Sequence, residues 1–305
     1  MKINKIVTYL IPILPLLWAC QDVIKVNLNE SKNILTVDAM ITQEAAKQTN
    51  RLSFTSPYFQ NEATPPVRGA TVAVTNATLN RTYSFIDKGN GNYEYSPADK
   101  TPLGNIGDTY LLSVLHNGLV YTSRFTSSRT TQVDSIVYEF EERNANNPNS
   151  KEGYFAEFYG VDVKGKPDFY WIKSYKNGVY NSNPNNVNYA ADGSRNSTPG
   201  IVGSDGLPFI PPIRDRITDD SKPFQVGDSV LVEIWSINED TFEFLRQIEA
   251  QMNNGGLFAR IPENIRTNIS SVSPNGQVLG WFSVSEVGRR GLRIKEVAKG
   301  KKGKG

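Results

Sequence analysis

The chain has 305 residues, 38% hydrophobic and 10% aromatic, with a formal net charge of +2. That length suits one large or two ordinary domains. Its one cysteine excludes an intrachain disulfide, and with a single histidine it leaves no Cys/His zinc site.

Lys2 and Lys5 precede an apolar run from Ile6 to Trp18, which Ala19 and Cys20 follow. A spanning helix needs about 20 apolar residues. This run is shorter, is interrupted by Pro12 and Pro15, and has the length of an export-signal core. Leu17 and Ala19 stand where a lipoprotein cleavage site wants a leucine and a small residue, although Trp18 between them departs from the usual small or β-branched residue. The reading is a signal peptide over 1–19 and a lipidated tether over 20–33. Cys20 carries a diacylglycerol thioether and offers its freed amine to a further acyl chain. Two or more chains anchor stably where one does not. No other cofactor is expected.

Lys2 and Lys5 are the only charges of the signal, so the rest of the chain is neutral overall, with a basic C-terminal segment after a mildly acidic body. The segment 298–305, AKGKKGKG, has no apolar surface to bury beyond Ala298 and is expected to be a disordered basic tail. The acidic body of an exported chain gives no sign of nucleic-acid binding.

The predicted elements are mostly strands. ILTVDAMI at 34–41 is the first, followed at short spacing by RLSFTSP, GATVAVT, RTYSFI and GNYEYS. Val72 and Val74 alternate with polar or small residues, as do Tyr93 and Tyr95, the period of half-buried strands. Asn117-Gly118 joins DTYLLSVLH to LVYTSRFT as a hairpin turn. About seven strands before residue 127 predict an immunoglobulin-like β-sandwich over 34–130. A second β-rich domain follows over 131–297. In it Ile136, Tyr138 and Phe140 share a face, and Val230, Val232 and Ile234 oppose Leu231, Glu233 and Trp235. Phe242, Leu245, Ile248 and Met252 recur at helical spacing and predict one helix over 239–253, capped by Asn238 or Asp240 and packed on the second sheet. The fold class is therefore mainly β: two β-sandwich-like domains, one helix, and an N-terminal lipoprotein signal.

A long stretch over 176–225 is rich in Asn, Pro, Gly, Ser and Asp. Loops of that length are functional or disordered. The aromatic and guanidinium side chains in and beside it, Trp171, Tyr175, Tyr180, Tyr189, Phe209, Arg214 and Arg216, are the candidate ligand or partner contacts, by stacking and bidentate hydrogen bonds to a glycan or peptide. The opposing reading is that these rings pin the loop to the sandwich.

Catalytic motifs are sparse. His116 has no GxSxG elbow beside it, and no phosphate-binding glycine loop is present. Glu233, Glu239 and Asp240 are the only carboxylate set that a hydrolase reading has to offer. Asp205, Asp215, Asp219 and Asp220 lack a calcium-loop pattern. No catalytic or metal residues are assigned. Ser135 and Ser229, each after an aspartate, stand in short O-glycosylation-like tripeptides.

From Cys20 onward the chain resembles the Bacteroidota outer-membrane lipoprotein family catalogued as domain of unknown function 4249. The resemblance rests on the cysteine and its polar spacer, PPVRGATVAVT at 65–75, GDTYLLSVLHNGLVYTS at 107–123, GDSVLVEIWSINEDTFEFLRQIEAQ at 227–251 and IPENIRTNISSVSPNGQVLGWFSVSEV at 261–287. It implies a lipid-anchored outer-membrane protein, an accessory of a TonB-dependent receptor, and carries over no catalytic residues. Asp22, close behind Cys20, favours the cell surface over the periplasmic face. Adhesion is the alternative function, and a carboxylate hydrolase a further one.

Overall fold

Strand follows strand through the first third of the chain because apolar residues recur there at every second position. The computed structural model describes residues 33–56, 62–143, 146, 151–182, 187–191, 205–208, 216–254, 265–274 and 276–305. Before residue 127 it has β1 Leu35–Thr42, β2 Gln48–Phe54, β3 Thr71–Asn76, β4 Arg81–Asp87, β5 Asn92–Tyr95, β6 Thr109–His116 and β7 Leu119–Thr126. Val37, Ala39 and Ile41 of β1 turn inward with Val72, Val74, Tyr110, Leu112 and Val114 to form one core. Asn117 and Gly118 take φ of 49° and 75°, the left-handed pair a two-residue hairpin needs, so the β6–β7 turn is as the sequence predicts.

The span 34–130 does not complete its own sheet. After β8 Ser135–Glu141, β9 Gly153–Tyr159, β10 Phe169–Lys176, β11 Val179–Tyr180, β12 Asn188–Ala191 and β13 Ser229–Ile237 come β14 Ser270–Ser271 and β15 Val278–Ser285. These two return to the first sheet, whose order is β14-β7-β6-β3-β4-β5-β2-β1-β15. β15 lies parallel to β1 over its whole length, from Leu35 opposite Val278 to Thr42 opposite Ser285. The sheet curls until its ends meet, with the Phe125 and Phe282 rings 6.4 Å apart. Asn268 spans the seam: its side chain donates to the Phe282 carbonyl at 2.7 Å and accepts from the Phe282 N–H at 2.9 Å, while its own carbonyl accepts from Ser123. The expected boundary at 130 thus separates chain segments but not structures, because β1 would be left with an open edge and a bare apolar face.

A second core lies between two smaller sheets. β16 Val287–Arg293 completes the order β11-β10-β13-β16, with β12 also on β10, and β17 Lys302–Lys304 completes β17-β8-β9. Ile136, Tyr138 and Phe158 of one sheet pack on Tyr170, Ile172, Val232 and Ile234 of the other. β17 corrects the expectation of a disordered tail. Lys302–Lys304 pairs with Val137–Glu139, Gly305 exchanges two backbone bonds with Ile136, and Lys302 forms an ion pair with Glu157 at 2.7 Å. Glycine composition argued for disorder, but the open β8 edge supplies backbone partners that composition does not reveal.

The helix α1, Glu239–Met252, is capped by Asn238, whose side-chain oxygen accepts from the Thr241 N–H at 2.9 Å. Of the predicted stripe, Leu245 is buried and Phe242 and Ile248 pack against the same cluster, which Phe244 widens. Phe244 stacks on Trp281 of β15 at 4.5 Å, whereas Met252 is exposed. Trp281 also donates to Thr241, so the helix is fixed by the first sheet as well as by Phe169 and Ile237 at the end of the second. Residues Asn33–Gly305 form one compact unit. Among the described residues no helix is long and apolar enough to cross a membrane.

Candidate ligand-binding face

The second sheet has one face in its own core and another turned out of it. On β10 and β13 the residues that do not enter the core are Trp171, Lys173 and Tyr175 opposite Trp235, Glu233 and Leu231. Antiparallel register sets them in three rows. The first is Tyr189–Trp171–Trp235, the second Lys173–Glu233–Arg289, the third Tyr180–Tyr175–Leu231. Trp171, Trp235, Tyr175, Tyr180 and Tyr189 are all half-buried, so the rows present ring surface as well as packing.

The middle row is charged. The Lys173 ammonium lies over two indole faces, 3.2 Å from the Trp235 ring centre and 3.7 Å from that of Trp171, with Tyr180 at 5.9 Å. Burial lowers its pKa from 10.5 to about 7, against the attraction of Glu233 and Asp38. The indole quadrupoles also favour the ammonium and oppose that fall. Glu233 is already engaged. One oxygen accepts from the Tyr175 hydroxyl at 3.0 Å and the Trp235 indole at 2.8 Å, and the other pairs with Arg289 at 3.2 Å. Arg289 also holds Glu44. Burial and the neighbouring Glu233 raise the Tyr175 phenol, which stays protonated as a donor.

Asp38 enters this group from β1 of the first sheet. It is open to solvent, yet desolvation raises its carboxyl pKa, with Lys173 the strongest opposing charge. A group that is both wetted and desolvated sits in a recess and not on a convex surface. Among the described residues the buried Trp171 indole N–H has no hydrogen-bond partner, and neither have the Ser283 and Ser285 hydroxyls on β15.

The sequence-predicted contacts divide into three sets. Trp171, Tyr175, Tyr180 and Tyr189 are brought onto one face of the sheet. Arg216 lies to its side, where it pairs with Glu249 of α1 at 2.7 Å, and the Tyr189 hydroxyl donates to the same carboxylate. Cys20, Phe209 and Arg214 lie outside the described residues. Past the β10–β11 turn a cleft of about 700 Å³ is lined by Lys176, Tyr180, Ile217, Asp219, Lys222 and Phe224. Lys173, Asp38, Trp235 and Arg289 were not singled out in the sequence. The available signal was a charge set among apolar or aromatic residues of a strand: Asp38 in ILTVDAMI and Lys173 between Trp171 and Tyr175.

The carboxylates considered for hydrolysis have other partners: Glu233 those above, and Asp240, in the first turn of α1, Arg266 at 3.5 Å. Asp205 accepts from the Gly165 N–H of a distant turn, and Asp219 from the Ser221 N–H within its own. Among the described residues no three His, Cys, Asp or Glu side chains are grouped to hold a metal ion.

Fold and face together define a mainly β protein of two packed cores whose exposed chemistry is aromatic and ionic. Residues 21–290 match the family model described as a domain of unknown function, DUF4249, and the chain belongs to that family. Comparison with the curated proteins finds no match.

Proposed function

We propose that the protein is a lipid-anchored, non-enzymatic ligand-capture partner of a TonB-dependent outer-membrane transporter, held to the membrane through Cys20. The observation that supports capture is the convergence of Trp171, Tyr175, Tyr180 and Tyr189 on one half-exposed face. Rings fixed by sheet register lose little freedom when a ligand stacks on them. The lipoprotein pattern ending at Cys20 supports the anchor and the outer-membrane address. The test is co-purification of the transporter from detergent-solubilised envelopes and uptake of its substrate. Changing Tyr175 and Tyr180 to Ala lowers both while circular dichroism stays native, and Cys20→Ser releases the protein from the membrane fraction. Undiminished association and uptake in the tyrosine variant overturn the capture reading.

One observation favours the adhesive alternative. β17 is a short strand on the open β8 edge, the kind of element that strand-exchange polymers move between copies. Ladders on native gels that vanish when residues 298–305 are removed support that reading, and a monomer throughout removes it.

A further inference from the structure

Two sites of charge in the recess lack the partners that such groups normally take. Glu233, opposite Lys173 in the register, has its oxygens engaged by Tyr175, Trp235 and Arg289. Lys173 Nζ therefore rests on indole faces and makes no hydrogen bond among the described residues. Asp38, facing it from β1, accepts a backbone bond from Met40 and lies near the charges of Lys173 and Arg51, but makes no ion pair within contact distance among the described residues. The Trp171 indole N–H is a buried donor with no acceptor among the described residues, a state that folded proteins rarely leave uncorrected. Ser283, beside Met40 in the parallel register, adds a buried hydroxyl on the same side of β15. Met40 and Trp171 pack on one apolar cluster, so these faces of the two sheets look toward each other.

We propose that this recess binds a small zwitterion of the α-amino-acid class, its carboxylate held by Lys173 Nζ and the Trp171 indole N–H and its ammonium by Asp38. Lys173 Nζ is 3.7 Å from the centre of the indole that carries this N–H, so the two donors are neighbours. The ammonium end then meets the Asp38 carboxylate, which has acceptor capacity beyond its Met40 backbone bond, and an apolar side chain has Met40 and the Trp171 ring to lie against. A neutral sugar could stack on the same rings but offers no anion to the Lys173 ammonium, which has no hydrogen-bond acceptor among the described residues. A long peptide separates its terminal charges too far to neutralise both. The proposal deepens the capture reading by naming its ligand, but it is tested on the isolated chain, so loss of transporter association and loss of binding are separate results.

The experiment is calorimetric titration of the full lipidated chain in detergent with each common L-amino acid at pH 7, beside a neutral oligosaccharide mixture and a set of longer peptides. At least one amino acid binds the wild type. Trp171→Phe, which keeps a ring and removes the N–H, weakens it by about tenfold or more. Asp38→Asn weakens the amino acid similarly but leaves unchanged the affinity for the same acid lacking its amino group. Asp38 is solvent-open, so that variant keeps its fold, and near-UV circular dichroism checks both. No amino acid bound by the wild type, or binding undiminished in both variants, overturns the proposal. So does tighter binding of the oligosaccharides or the longer peptides than of any amino acid.

Discussion

At the scale of single residues, Lys173 is the group on this face whose departure from its free state bears on neutral pH. Its folded pKa of about 7 lies below the ordinary 10.5, so between those values the unfolded chain holds a proton that the folded chain has released. Stability therefore rises with pH across that window, by at most about 1.4 kcal/mol per unit, and this group gives no slope below it. Asp38 acts oppositely: its raised pKa makes stability fall as pH climbs through the range above 3.8. Burial raises Tyr175 and Tyr180, which face the same space with Glu233 and Arg289, so their effect enters only above pH 10. Urea unfolding between pH 7 and 9.5 should show rising stability in the wild type and a flat profile in Lys173→Met. A wild-type profile as flat as the variant's would mean that the indole faces hold the proton on. None of this was legible from Lys173 itself, since a lysine in a strand is usually solvated. Only its place between Trp171 and Tyr175 hinted otherwise.

At the scale of elements, sequence periodicity and turn chemistry located most of the described strands and the helix α1. Val72 and Val74, and Val230, Val232 and Ile234, all face cores as their spacing predicts. Local pattern could not tell which strand pairs with which. β15 reads as a buried strand whichever sheet it joins, and nothing near residue 280 announces that its partner is Leu35–Thr42. The rows of rings were legible as residues but not as rows, because register across β12, β10 and β13 is set by tertiary pairing. β17 was hidden more completely, since its pairing depends on the β8 edge and on Gly303 fitting against Tyr138. A Cβ on Gly303 would come within 2.2 Å of that ring. Gly303→Val should therefore detach the strand, lower stability by about 1–3 kcal/mol and open the chain near Lys301 to trypsin. Melting curves and limited proteolysis check this.

At the scale of the whole molecule, the two cores share chain in a way that forbids their separation. β15 belongs to the first sheet, and only Glu286 stands between it and β16 of the second. A fragment of residues 34–130 should remain unfolded by circular dichroism and amide dispersion, because it lacks β15, Phe282 and Val284. Adding residues 131–305 in cis restores a single cooperative transition seen alike by tryptophan fluorescence and far-UV signal. A folded fragment would show that the seven early strands suffice.

The parallel pairing of β1 with β15 also has a mechanical meaning. β1 is the first strand of the described residues, so a pull applied to the chain at Leu35 runs along the strand axis. Its ladder bonds to β15 on one side and to β2 on the other are then loaded in shear, all together, and cannot be peeled open one at a time. A body moored at its N-terminus and tugged by flow or by a moving partner would resist being drawn out from that end.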